Sequence, residues 1–172
     1  HQQRVGHLFG PLPVEMRDDT AWMDRIHGYL PGWNVPKQGK ELWTDHFGLV
    51  SDFLSECLSR LRYQSRVSAL QNKVHFGGAL SGRDVNAANK TASGLLKLLY
   101  PDPAASILDE DIEWAVRQAL ESRRRVKEQQ KRIGSAEFRN THFSYTFGDD
   151  GVEKFVSTPE LRADNAIGSD PL

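Results

Sequence analysis

An arginine at the edge of a structural element can reach outward for an oxyanion, and two stretches of this chain place one there. The first is Arg25, in Asp24-Arg25-Ile26-His27-Gly28-Tyr29-Leu30-Pro31-Gly32-Trp33. A short helix ending in Asp-Arg, followed by an apolar extended stretch and a Pro-Gly turn, presents the guanidinium at a boundary. The local alternatives are an ion pair with Asp24 or Asp19, or a bond to the last carbonyls of the helix, each worth less than about 1 kcal/mol. The second is Arg83, in Ser81-Gly82-Arg83-Asp84. This is the first turn of an expected helix, where unpaired N–H groups and a partial positive charge favour an anion. Asp84 stands ready either to neutralise Arg83 or to cap the helix.

A third group is a crowd of cations on one expected helix: Arg117, Arg123, Arg124, Arg125, Lys127, Lys131 and Arg132. Clustered Arg and Lys suit a phosphate backbone, which makes Arg123, Arg124, Lys127 and Lys131 candidate DNA contacts. The competing reading is a solvated, salt-bridged helix. Acids lead and bases follow, complementing the helix dipole, and Glu113–Arg117, Glu121–Arg125 and Glu128–Arg132 fall at i,i+4 in the favourable order. No aromatics interleave the cluster as a base-stacking platform requires.

Other chemistries lack their residues. The chain contains no phosphate-binding glycine loop ending in Lys-Ser/Thr, no Gly-x-Ser-x-Gly elbow, no His-Glu-x-x-His pair and no dinucleotide fingerprint. The six histidines never fall at i,i+4 on one helix, and the single cysteine, Cys57, supplies neither a disulfide nor a zinc set, so no metal site is expected.

The elements that must carry these side chains follow from periodicity. Residues 1–40 are broken by Pro11, Pro13, Pro31 and Pro36 and by five glycines, leaving room for one short helix from Asp18, Asp19 or Thr20 to about His27. The segment is nevertheless rich in apolar side chains, which need a surface to pack on. The spacing of Phe47, Val50, Leu54, Cys57, Leu58 and Leu61 predicts a helix capped by Thr44 or Asp45, with Cys57 as a small core hydrophobe. Residues 63–76 read as a weak helix or a loop, closed by Gly77-Gly78, and are assigned as helix. Ser81-Gly82-Arg83-Asp84 opens a helix that buries Val85, Ala88, Ala92, Leu95, Leu96 and Leu99 and stops before Pro101. Another starts among Asp109, Glu110 and Asp111 and ends at Gly134. The period then changes to two: Phe143, Tyr145 and Phe147 alternate with polar residues, Gly148-Asp149-Asp150-Gly151 turns, and Val152 to Ser157 returns as a second strand. This hairpin is too small to stand alone, and residues 159–172 read as a flexible tail.

Length and charge fit one domain with an appendage. The 172 residues are 38% hydrophobic and carry a formal net charge of −1. Residues 1–40, 41–134 and 135–172 have nets of +1, +2 and −4, so only a local patch could draw nucleic acid or an anionic membrane. No run is long and apolar enough to span a bilayer, and the first residues lack a secretory pattern, so no membrane partner and a cytoplasmic location are expected.

The Asp24–Trp33 string, Ser81-Gly82-Arg83-Asp84, Lys90-Thr91-Ala92-Ser93-Gly94-Leu95-Leu96-Lys97-Leu98-Leu99-Tyr100-Pro101 and Arg123-Arg124-Arg125-Val126-Lys127-Glu128-Gln129 together resemble the Lon-related AAA+ ATPases of bacteriophage-exclusion (BREX) defence systems. The resemblance covers nearly the whole chain. It implies a mainly α (α+β) piece of a larger protein: residues 1–40 as the end of the ATPase α/β domain, 41–134 as a helical lid of about four helices, and 135–172 as the start of a Lon-protease-like domain. It implies that Arg25 is the arginine finger, reaching the nucleotide of a neighbouring subunit in a homo-oligomeric ring, and that Arg83 is the sensor 2 arginine of the lid. ATP and Mg²⁺ would be cofactors of the parent, with neither expected on this fragment, which is expected to be inactive alone. DNA and other BREX components are the implied partners. Ser144 and Lys154 match no Ser-Lys protease dyad, leaving proteolysis by the parent open. The competing class is a stand-alone α-helical module that binds DNA or protein without any ATPase role.

Overall fold

The structure, a computed structural model, describes residues 8–134, 141–149 and 151–157, apart from the side chain of Trp33. Two long helices, α4 (Gly82–Leu99) and α5 (Asp109–Ile133), pack on each other and on a small antiparallel sheet. Two single-turn helices, α1 (Val14–Arg17) and α2 (Thr20–Met23), precede them, and α3 (Ser51–Leu61) lies between. The sheet runs in the order β1 (Val74–Phe76), β2 (Ser144–Phe147), β3 (Lys154–Phe155). The chain is therefore mainly α with a minor β component, the class its periodicities indicate.

Helix α4 begins with a complete capping box. The Ser81 hydroxyl accepts from the Asp84 N–H at 3.3 Å, and Asp84 Oδ2 accepts from the Ser81 N–H at 3.0 Å. Its small buried residues, Ala87, Ala88 and Ala92, allow close approach of α5, which contributes Ile112, Ala115, Val116, Ala119 and Leu120 to the same core. Leu99, expected inside, is half exposed, because the helix has drifted around its axis by the last turn. The buried Arg66 closes that end, donating from Nη2 to the Tyr100 and Pro101 carbonyls at 3.0 and 3.3 Å.

Residues 63–76 do not form the helix assigned from sequence. They contain a 3-10 turn at Val67–Ala69, a left-handed Asn72 with φ 64°, and then β1. The partners are remote: Val74, His75 and Phe76 face Phe147, Thr146 and Tyr145 of β2. Local periodicity cannot reveal a ladder closed by residues some seventy positions away. Helix α3 also starts later than expected, at Ser51, because Gly48 interrupts the apolar stripe; the Thr44 hydroxyl instead accepts from the His46 N–H. No α3 residue is fully buried: Cys57, expected in the core, and Leu61 are partly covered, while Phe53, Leu54 and Leu58 are exposed.

The β2–β3 hairpin forms around positive-φ glycines at 148 and 151, as its turn residues indicate. It does not stand apart. Phe143, Tyr145 and Val156 enter the same core as α4 and α5, so strands on both sides of the expected boundary at 134/135 share one sheet. The expected tail at 159–172 lies outside the described residues.

Where β1 leaves the sheet, a Cβ on Gly77 would sit 2.0 Å from Ser144 Oγ and 3.3 Å from the Ser144 carbonyl oxygen. Gly77→Ala should therefore destabilise the fold by about 1–3 kcal/mol in denaturant melts. Ser144 Oγ is buried without a hydrogen-bond partner. Ser144→Ala alone should be neutral or stabilising, and combining it with Gly77→Ala should recover part of the loss.

Candidate functional site

The second half of α5 has two working faces. One holds the sheet: Arg124 donates through Nη1 to the Val156 carbonyl, and Lys131 Nζ donates to the Thr141 carbonyl at 2.9 Å. The other holds the N-terminal segment. Gln130 Nε2 donates to the Thr20 carbonyl at 2.9 Å, Gln129 Oε1 accepts from the Leu8 N–H at 2.8 Å, and the Tyr29 N–H donates to the Ser122 carbonyl at 3.0 Å. Phe9, Met23 and Val126 form a second core there, with Phe9 edge-on to Trp22 and Tyr29. Gly28 fits because any Cβ would come within 2.7 Å of Ser122 Oγ.

These contacts deliver Asp24 to the start of α4. Arg123, 0% exposed, links three elements: its Nε donates to Asp84 Oδ1 at 2.8 Å, its Nη2 to Asp24 Oδ1 at 2.8 Å, and its Nη1 to the Ile26 carbonyl. Lys127 Nζ lies 3.3 Å from both Asp24 Oδ1 and Asp84 Oδ1. Asp84 Oδ2 is occupied by the cap, including a 2.7 Å bond from the Ser81 hydroxyl. Arg83 completes the group from outside, donating through Nη1 to Asp24 Oδ2 at 2.6 Å while its side chain stays 61% exposed.

The electrostatics follow from the partners. Burial alone would raise the Asp24 carboxyl, but the Arg83 hydrogen bond and the Lys127 and Arg123 charges outweigh it and lower the group from an ordinary 3.8 to about 2. His27, on the same edge, is pushed below its usual value by partial desolvation and by the charges of Lys90 and Arg123.

The sequence-predicted residues separate here. Arg83 reaches its acid 59 positions away rather than the adjacent Asp84. Arg25 is exposed and donates through Nη1 to the Ala21 carbonyl at 2.5 Å, at the end of α2, whose start is capped by Asp19. The structure corrects the solvated-helix reading of the basic cluster: Arg123, Arg124, Arg125 and Lys127 are buried, because the N-terminal segment and the sheet cover that length of α5. Arg123, Arg124 and Lys127 therefore present no cation to a DNA phosphate in this conformation, and Lys131 is half-buried against Glu128 and the Thr141 carbonyl. Sequence reasoning missed Asp24 and Asp84 as the acids that answer Arg123. Among the described residues no group of three or more His, Cys, Asp or Glu side chains could hold a metal ion, and no helix is long and apolar enough to cross a membrane.

Comparison with known proteins defines the class: the ATPase domain of a Lon-like protein. Residues 1–144 match the family described as "Lon-like protease BrxL-like, ATPase domain", and the chain belongs to that family. It is 45% identical over 157 residues to Lon-like protease BrxL of Bacillus cereus (strain H3081.97) and 43% identical over 157 residues to Lon-like protease BrxL of Escherichia coli O9:H4 (strain HS). The matches cover 91% of this chain but only 23% and 22% of those curated relatives, so the chain spans less than a quarter of their length.

Two outcomes test the site. Arg123→Met, which leaves the Asp24 and Asp84 carboxylates to share Lys127 in the interior, should cost about 3–5 kcal/mol in chemical denaturation, whereas Arg83→Gln at the exposed rim should cost less than about 1 kcal/mol. The second concerns acid. Because the folded Asp24 carboxyl lies below its unfolded 3.8, its contribution is complete above that pH and fades as pH falls towards about 2. Asp24→Asn should remove that part of the acid dependence of the melting temperature.

Proposed function

We propose that this chain supplies the arginine finger, Arg25, and the lid arginine, Arg83, of an ATP-dependent, oligomeric Lon-like protein of phage defence that acts on DNA. The supporting observation is that the turn carrying Arg25 is docked, through Asp24, against the helix start carrying Arg83, in a chain of the BrxL-like ATPase family. Residues 1–40 are then the end of the α/β ATPase domain, 41–134 the lid, and 135–172 the entry to a Lon-protease-like domain whose first strands brace the lid. The protein works in the cytoplasm.

The residues present suit the phosphate end of a nucleotide. Arg25 and Arg83 are exposed guanidinium groups whose bonds, to one carbonyl and one rim carboxylate, exchange readily for phosphate oxygens. Bound ATP would supply the phosphoanhydride that is cleaved; these side chains would orient it and offset charge developing on the transferred group. An arginine acting across a subunit boundary is worth about 10³–10⁵ in rate. Magnesium ligands and the phosphate loop would come from elsewhere in the parent.

Trp43, Phe47, Leu49, Val50 and Phe53 are exposed, as expected of a face that packs on the rest of a ring subunit or its neighbour. Action on DNA is carried by the resemblance to BREX proteins, and any DNA contacts would use surfaces other than the buried length of α5.

The test uses the assembled full-length protein. Arg25→Ala should lower ATP turnover by about 10³-fold or more while each subunit still binds nucleotide. Mixing these subunits with others disabled in their own phosphate loop should restore some hydrolysis at interfaces that pair an intact site with an intact Arg25. Full ATPase activity in the Arg25→Ala assembly would overturn the assignment.

A further inference from the structure

The buried charges around Asp24 balance without Arg83. Asp24, Asp84, Arg123 and Lys127 are 12%, 0%, 0% and 4% exposed at their side chains and sum to zero formal charge. Asp24 divides its oxygens between two tasks: Oδ1 faces Arg123 and Lys127, and Oδ2 faces Arg83. Withdrawing Arg83 strands no interior charge, whereas withdrawing Arg123 leaves two carboxylates to share Lys127 as their one interior cation. Arg83 is thus a surplus cation held by an ion pair at the rim, exposed on the arginine side, where solvent weakens the contact. The acid that holds it immediately precedes Arg25, and the carbonyl of Ile26, just after Arg25, is fixed by Arg123.

We propose that Asp24 is a positioning residue that parks Arg83: its outward carboxylate oxygen occupies the guanidinium until a phosphate group competes for it. This inference rests on Arg83 being a phosphate ligand. Carboxylate and phosphate present the guanidinium fork with interchangeable oxygen acceptors, so exchange needs no new donor geometry. Asp24 keeps both of its interior partners when Arg83 leaves, so the turn stays docked and only its outward oxygen is freed.

The experiment titrates this chain, carrying ¹⁵N-labelled arginine and ¹³C-labelled aspartate, with inorganic tripolyphosphate. The Arg83 Nε–H signal and the Asp24 carboxyl signal should move together with one midpoint, while the Arg123 signal stays fixed. Asp24→Asn, which weakens the competing acceptor, should tighten tripolyphosphate binding about two- to fivefold, the equilibrium weight of an ion pair at the rim. Asp24→Glu should return the affinity towards wild type. The co-titration in the unaltered chain decides the matter should Asp24→Asn fail to fold. If Arg83 responds while the Asp24 carboxyl does not, the parking role is overturned and Arg83 remains a phosphate ligand. If Arg83 responds neither in the unaltered chain nor in Asp24→Asn, the parking role and the phosphate reading fall together.

Discussion

A guanidinium with no access to water must have every charge and donor answered by the protein around it, and Arg123 imposes that demand on three parts of this chain at once. Its partners are the cap acid of α4, the acid that ends the α2 turn and a carbonyl of the extended segment after it. Meeting the demand requires α4 and the 24–29 segment to approach the same point of α5. The hydrophobic clusters supply most of the favourable free energy on either side, but apolar packing tolerates small slides. The two acids do not, because a slide of one residue would leave a buried carboxylate facing nothing.

Such a cluster is a poor source of net stability, since taking the ions out of water costs about as much as their attraction returns. Its contribution here is uniqueness of placement. Only one seating of the 24–29 segment puts the Asp24 carboxylate and the Ile26 carbonyl on the same side chain, with the Tyr29 N–H on the Ser122 carbonyl. At the sheet, Glu113 plays a smaller version of the role. It accepts from Tyr145 Oη at 3.0 Å and Lys154 Nζ at 2.6 Å, which keeps its carboxyl low, while burial and this bond push the Tyr145 hydroxyl up to about 12. Helix α5 is therefore the common support of the arginine-bearing turn, helix α4 and the strands.

What could be read from sequence was local. The Ser81/Asp84 capping box, the acid-to-base run of α5 with its end at Gly134, and the alternation from Phe143 to Phe147 each signal their element within a few residues, and each forms. Strand β1 could not be read, because Val74 and Phe76 acquire their meaning from Phe147 and Tyr145. The candidate site was legible only as separate pieces. Arg25 and Arg83 stood out by their positions at element edges, but the run Arg123-Arg124-Arg125 looked like a solvated face, since its i,i+4 acids were visible and Asp24 and Asp84, 99 and 39 positions away, were not. The available signal was negative: an arginine on the same helical stripe as Leu120 and Val126 points to a buried charge that needs remote partners.

The docking of the N-terminal segment on α5 is tested most directly by native-state hydrogen exchange at the Tyr29 amide, which donates to the Ser122 carbonyl beside the buried charges. The account predicts protection close to that of the α5 core amides at Ala119 and Leu120. Exchange of Tyr29 at the rate of an open loop, with Ala119 and Leu120 still protected, would contradict it, because the segment would then leave α5 without disturbing the helix pair.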